Sequence, residues 1–194
     1  MTTKFSRLVR GSATVLAVAA VGVGATAATA SAAGSGTGTG TAKAKKSVSR
    51  CHTGELTAGW GSEGGGRPDM DSVEQQTVTM SLKNSSKRTC TLHGFPGVSM
   101  ENTLDAKHPM DLRRSASKPV TVTLKPGTHT SFTMRILPVP KGQTGVKKVA
   151  PGRVLVTPPD EKAHFTLKWP YGGAIQDQSG ATHPGTFVNP IGVG

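Results

Sequence analysis

Aromatic side chains are scarce: two Trp, one Tyr and five Phe among 194 residues. A large ring-packed core is thereby excluded, and a hydrophobic fraction of 35% leaves material for one domain with tails. Acidic residues are also few, 11 against 23 Lys and Arg, and the formal net charge is +12. No two carboxylates are framed by apolar neighbours as acid and base. Asp69 and Asp71 sit in a polar stretch without the rest of a calcium loop, and Asp160-Glu161 follows two prolines. The six His show neither H-x-x-x-H nor H-E-x-x-H spacing, which leaves a zinc hydrolase without its motif. No G-x-S-x-G elbow occurs; the nearest stretch, Trp60 to Gly64, has Trp at the first Gly position. The Gly-rich stretch Gly59 to Gly66 lacks the Lys-Ser/Thr of a phosphate-binding loop and a following helix. No catalytic residue, cofactor or metal is therefore expected.

Long apolar runs are missing too, with one exception at the N-terminus. Lys4, Arg7 and Arg10 precede a charge-free stretch from Ala13 to Ala30, and A-x-A sites end at Ala30 and Ala32. This is the pattern of a secretory signal peptide over residues 1–32. The stretch is rich in Ala and Gly with Leu16 its only Leu, so no stable membrane span is expected after cleavage. Residues 33–49 follow as a Gly/Thr/Lys-rich stretch, expected to be a disordered, flexible linker. Lys43, Lys45, Lys46 and Arg50 concentrate charge just before the folded part. In an exported protein these four suit an anionic cell-wall polymer, not nucleic acid.

Export places the chain in an oxidising compartment, where its two cysteines, Cys51 and Cys90, are expected to pair. Closing a loop of about 40 residues stabilises by about 4 kcal/mol in the chain-entropy account. A metal site is poorly served, since neither Cys has a C-x-x-C partner or a nearby His pair.

Residues 50–194 read as strands. Leu56, Ala58 and Trp60 alternate, as do Val78, Met80 and Leu82. So do Cys90 and Leu92, Val98 and Met100, and Val120, Val122 and Leu124. Phe132, Met134 and Ile136 follow, then Val154 and Val156, then Phe165, Leu167 and Trp169. Period 2 puts each group on one face of a sheet. Turn residues separate the runs: Asn84-Ser85-Ser86, Gly94 to Gly97, Lys125-Pro126-Gly127, Pro138 to Gly142, Pro158-Pro159-Asp160 and Gly172-Gly173. With 25 Gly and 13 Pro and no 3.6-residue period, helices are not expected. The expected fold is an all-β antiparallel sandwich of about seven or eight strands. The bonds before Pro96, Pro159 and Pro170 are cis candidates. The cluster Trp169-Pro170-Tyr171 either closes the sandwich or, if exposed, offers a platform for sugar or peptide.

Three segments carry a family likeness: Leu82-Lys83-Asn84-Ser85-Ser86, Thr89 to Val98 around Cys90 and Gly94-Phe95-Pro96-Gly97, and Val122 to Gly127. They resemble the secreted actinobacterial domain-of-unknown-function family 4232 over roughly residues 50–158. Phe95 stands where that pattern commonly has Tyr, and residues 159–194 match less clearly. The resemblance implies an exported Ig-like β-sandwich and no established activity. The expected role is a secreted, non-enzymatic binding module at or near the cell envelope. Its expected partner is an anionic cell-wall polymer or another extracellular protein, and the protein is expected to be a monomer. An exported inhibitor, with Pro138-Val139-Pro140 or Gly94 to Gly97 as its loop, and a secreted hydrolase are the alternatives.

Overall fold

Alternation of Val, Met, Leu and Phe with Thr, Ser and Lys drives the chain into strands, because only a pleated ladder sends successive side chains to opposite faces. The computed structural model describes residues 47–61 and 66–193. The expected signal peptide, linker residues 33–46 and thus Lys43, Lys45 and Lys46 lie outside the described residues.

The elements in chain order begin with a 3-10 turn at Thr53–Glu55, followed by β1 (Leu56–Trp60), β2 (Gln76–Asn84), β3 (Cys90–His93), β4 (Gly97–Asn102), β5 (Met110–Asp111), β6 (Arg113–Arg114) and β7 (Thr121–Leu124). Then come β8 (His129–Ile136), β9 (Pro138–Val139), β10 (Lys148–Val149), β11 (Pro151–Thr157), β12 (Phe165–Lys168), β13 (Ala174–Gln176) and β14 (Phe187–Val188). The described residues contain no helix long and apolar enough to cross a membrane.

Two main sheets form the sandwich, ordered β1-β2-β8-β14-β6 and β12-β11-β4-β5. The antiparallel pair β3-β7 and the small sheet β10-β13-β9 stand apart from these two in pairing. Inward side chains of both main sheets share one core: Val78, Met80 and Leu82 from β2, Phe132 and Met134 from β8, Met100 from β4, and Val154 and Val156 from β11. The eight runs expected from alternation fall on the eight strands of four residues or more, except that Val120 and Trp169 lie just outside β7 and β12 and Val120 is exposed. Six further strands of two or three residues are too short to show a period. One of them departs from the expected antiparallel pattern: β6 runs parallel to β14, with Arg113 opposite Phe187. The chain reaches it by leaving the second sheet after β5 and crossing at buried Leu112.

The cis expectation is corrected, because every described peptide bond is trans. The reversals near Pro96, Pro159 and Pro170 are made instead by Gly94 (φ 110°), Asp160 (φ 59°) and Gly172 (φ 66°).

Candidate functional site

The first residues of the domain are tied down by charge and sulfur. Cys51 and Cys90 form a disulfide with Cα atoms 4.9 Å apart. Beside it the Cys51 N–H donates to the Thr91 carbonyl at 2.8 Å, and the Thr91 N–H donates to the Ser49 carbonyl at 3.1 Å. Arg88 reinforces the seam. Its Nε donates to Glu55 Oε1 at 2.5 Å, its Nη2 pairs with Glu55 Oε2, and its Nη2 also reaches the Arg50 carbonyl at 2.8 Å. The hydrogen bonds from Arg88, then the His52 N–H, hold the Glu55 carboxyl below its ordinary pKa.

Glu161 is the second tie. Its carboxylate accepts from the Thr53 N–H (3.1 Å), the Thr53 hydroxyl (3.0 Å) and Arg50 Nη1 (2.6 Å), and His52 Nδ1 lies at 3.1 Å. The Thr53 N–H is the largest cause lowering the Glu161 pKa to about 2, against a smaller desolvation effect. Arg50 therefore belongs to the folded domain, with its guanidinium on Glu161 and on the Asp160 carbonyl. His52 and the Thr53 hydroxyl meet the same carboxylate and not each other, so this cluster holds a hydroxyl on an acid, not a nucleophile on a base. Its chemistry is that of a clasp between the start of the domain and the 158–163 turn.

The aromatic cluster closes an edge. Trp60, Trp169 and Tyr171 meet edge-to-face with centroids 5.0 to 5.6 Å apart. Trp169 is buried and its Nε1 donates to the Gly172 carbonyl at 2.8 Å. Trp60 Nε1 donates to the Lys168 carbonyl at 3.1 Å, which joins β1 to β12 across the sandwich. Arg67 covers the Tyr171 ring at 5.6 Å. Of the two readings of this cluster, closure is the one the geometry fits.

The open surface lies on the outer face of β12-β11-β4-β5. Outward residues alternate there with the core set, so Ser99 and Glu101 of β4, Arg153 and Leu155 of β11, and Thr166 and Lys168 of β12 floor a cleft of about 850 Å³. Thr103 and Pro109 form one wall. Arg153 Nε pairs with Glu101 Oε2 at 2.6 Å, which fixes both long side chains across neighbouring strands. At Gly152 a Cβ would stand 2.6 Å from Thr103 Cγ2, so glycine is what lets that wall approach the β11 bulge. A second hollow of about 320 Å³ shares Ser99 and Leu155 and continues toward Asp111, Arg114 and His164. Such an open cleft, with Leu155 set among hydroxyl and charged side chains, can bind a ligand without ordering itself first.

Alternation reasoning missed this cleft. The readable signal was Leu155, an apolar residue at an outward position in Arg153-Val154-Leu155-Val156. Of the inhibitor loops, Pro138 and Val139 form a buried strand, and Phe95 of the Gly94–Gly97 turn lies under the Arg114 guanidinium at 5.6 Å. Among the described residues no three His, Cys, Asp or Glu side chains converge as metal ligands.

A family model described as Domain of unknown function (DUF4232) matches residues 51–187. It extends past residue 158, through β12 and β13 into β14. No curated protein matches the chain.

Proposed function

This chain belongs to that family of domains of unknown function, and from this premise we propose that it is a non-enzymatic binding module, exported and held at or near the cell envelope. The observation that carries the reading is the 850 Å³ cleft backed by the β12-β11-β4-β5 sheet. A sheet face is a rigid support, so a ligand seated on it costs little ordering of the protein. Leu155 supplies apolar contact, while Ser99, Thr166 and Lys168 supply donors beside it on the floor. Export is supported by the charge-free stretch behind Lys4, Arg7 and Arg10. Retention is supported by Lys43, Lys45 and Lys46, which precede the folded part and attract polyanions outside the cell.

The test is co-sedimentation of the mature protein with purified cell-wall sacculi at low and high salt. The comparison variant carries Lys43→Gln, Lys45→Gln and Lys46→Gln. Ser49 and Arg50 are left intact, because both take part in the fold. The expected result is retention at low salt, release at high salt, and weaker retention of the triple variant. Absence of the wild type from the pellet at both salts would overturn envelope binding.

A further inference from the structure

On the opposite face of the sandwich, β2, β8 and β14 bring together residues that no motif connects. Thr77 of β2, Arg135 of β8 and Phe187 of β14 stand opposite one another in register and point outward, since Val78, Met134 and Val188 beside them are buried. Arg135 and Phe187, together with Gln75, Ser115, Ser117 and Asn189, line an open depression of about 670 Å³ with no carboxylate in its lining.

Arg135 is held in place by neutral acceptors. Its Nε donates to Gln75 Oε1 at 2.9 Å, and its Nη1 donates to the Thr77 hydroxyl. Gln75 is braced in turn by a hydrogen bond from its Nε2 to the Gly185 carbonyl. No carboxylate pairs with Arg135 among the described residues, so its charge is fixed in position and uncompensated. The Ser115 N–H donates to the Val188 carbonyl at 2.9 Å, which seats Ser115 and Ser117 along the rim. Asn189 is likewise anchored, Nδ2 to the Thr133 hydroxyl at 2.8 Å.

We propose that the depression around Arg135 and Phe187 binds a sugar unit that carries a carboxylate, of the uronic acid kind. A guanidinium fork matches a carboxylate. An aromatic ring beside it offers a face for the apolar side of a pyranose. The hydroxyls and amide around the rim suit sugar hydroxyls. Phe187 and Arg135 are cross-strand neighbours on strands about 4.8 Å apart and border the same depression. In a uronate the carboxyl carbon is bonded directly to the pyranose ring, so the charge stays close to the ring. A phosphate ester on the same carbon reaches further out. The site deepens the binding-module reading by naming a ligand class, and it lies on the sheet that does not form the cleft.

The experiment titrates the full-length, 15N-labelled protein with methyl glucuronide, methyl glucoside and glucose 6-phosphate. The readouts are the Arg135 Nε–H and the Ser117 amide resonances. The expected result is saturable shifts of both with the glucuronide, and at least about tenfold weaker binding of the glucoside, which lacks the charge. Arg135→Lys should weaken glucuronide binding about tenfold by removing the planar fork. Ser117→Asp changes an exposed rim residue and should abolish binding while leaving the fold intact, which keeps the test valid should Arg135→Lys fail to fold. No shift with the glucuronide overturns the site, and equal or tighter binding of glucose 6-phosphate overturns the carboxylate assignment. Because the titration contains no sacculi, its failure is distinct from failure of envelope retention.

Discussion

Asn84 ends β2 with its side chain fully enclosed, and every polar atom of its amide is used. Nδ2 donates to the Arg88 carbonyl at 2.8 Å and to the Leu124 carbonyl at 3.0 Å. Oδ1 accepts from the Ser86 N–H at 3.0 Å and its hydroxyl at 2.8 Å. The Gly127 N–H, in a turn with φ 78°, donates to the Asn84 carbonyl at 2.8 Å. One amide thus joins two turns that are 40 residues apart in the chain. Sequence reasoning places Asn84-Ser85-Ser86 in a turn, and the bonds from Ser86 to Oδ1 are that turn's own. The bond to Leu124 was not legible, because nothing local specifies which distant carbonyl a side chain will find. It also gives the Asn-x-Ser and Leu-x-Pro-Gly segments a common structural role, as two sides of one joint. Asn84→Ala takes a donor from the buried Leu124 carbonyl, leaves the Arg88 carbonyl with only the Ser86 hydroxyl, and opens a small cavity. The expected cost is about 2–4 kcal/mol, read as a lower midpoint in urea with an unchanged slope. A loss below about 0.5 kcal/mol would show that water or a shifted turn replaces the amide.

At the scale of elements, the eight longer strands were legible and the short ones were not. A period of two residues needs at least four positions to declare itself, and β5, β6, β9, β10, β13 and β14 have two or three. Their pairing is nonetheless what builds the candidate sites. Phe187 meets Arg135 only because β14 lies beside β8, and the cleft gains its wall from the segment between β4 and β5. The 3-10 turn is another such element: three residues, fixed at one end by Glu55 on the His52 N–H at 2.8 Å and at the other side by Glu161 on Thr53. The second contact makes the element sensitive to acid. Glu161 has its pKa lowered from 4.5 to about 2, so its contribution is fully present above pH 4.5 and is lost as the pH falls toward 2. Glu161→Gln should cost about 1–2 kcal/mol at pH 7. The gap between wild type and variant should narrow as the pH drops from 4.5 to 2. Asp177 shares this window: burial pushes its carboxyl up, but Lys147 and the Ser179 N–H outweigh that and hold it at about 2. Comparing melting curves of variant and wild type at each pH separates Glu161 from it. A gap that stays constant down to pH 2 would mean the carboxylate is not the group that titrates.

For the whole molecule, the distribution of fastenings matters more than their number. The core is continuous across both sheets and rests on Met, Val, Leu, Ile and, among the described residues, a single fully buried Phe, Phe132. The strong polar ties gather instead where the chain enters the domain. The Cys51–Cys90 disulfide, the Arg88–Glu55 pair and the Glu161 clasp all hold residues 49–55. A segment that connects a domain to whatever precedes it is the one that would otherwise fray first. Loop closure alone assigns the disulfide about 4 kcal/mol, but the two ion-pair clasps restrain the same residues in the native state. The measured effect of reduction on global stability should therefore be about 2–4 kcal/mol, with the sheets intact. Local opening should respond more selectively. After reduction, the amides of Cys51 and Thr91, which sit in the seam, should exchange with solvent much faster, while those of Met80 and Phe132 in the β2-β8 ladder should slow or quicken only with global stability. Alkylation of the unreduced protein followed by mass spectrometry establishes the starting state, and two modified thiols would rule out the bridge. Uniform acceleration at all four amides on reduction would show that the disulfide supports the entire sandwich and not its entrance. Acceleration much greater in the seam than at Met80 and Phe132 would make the entrance a separately fastened unit.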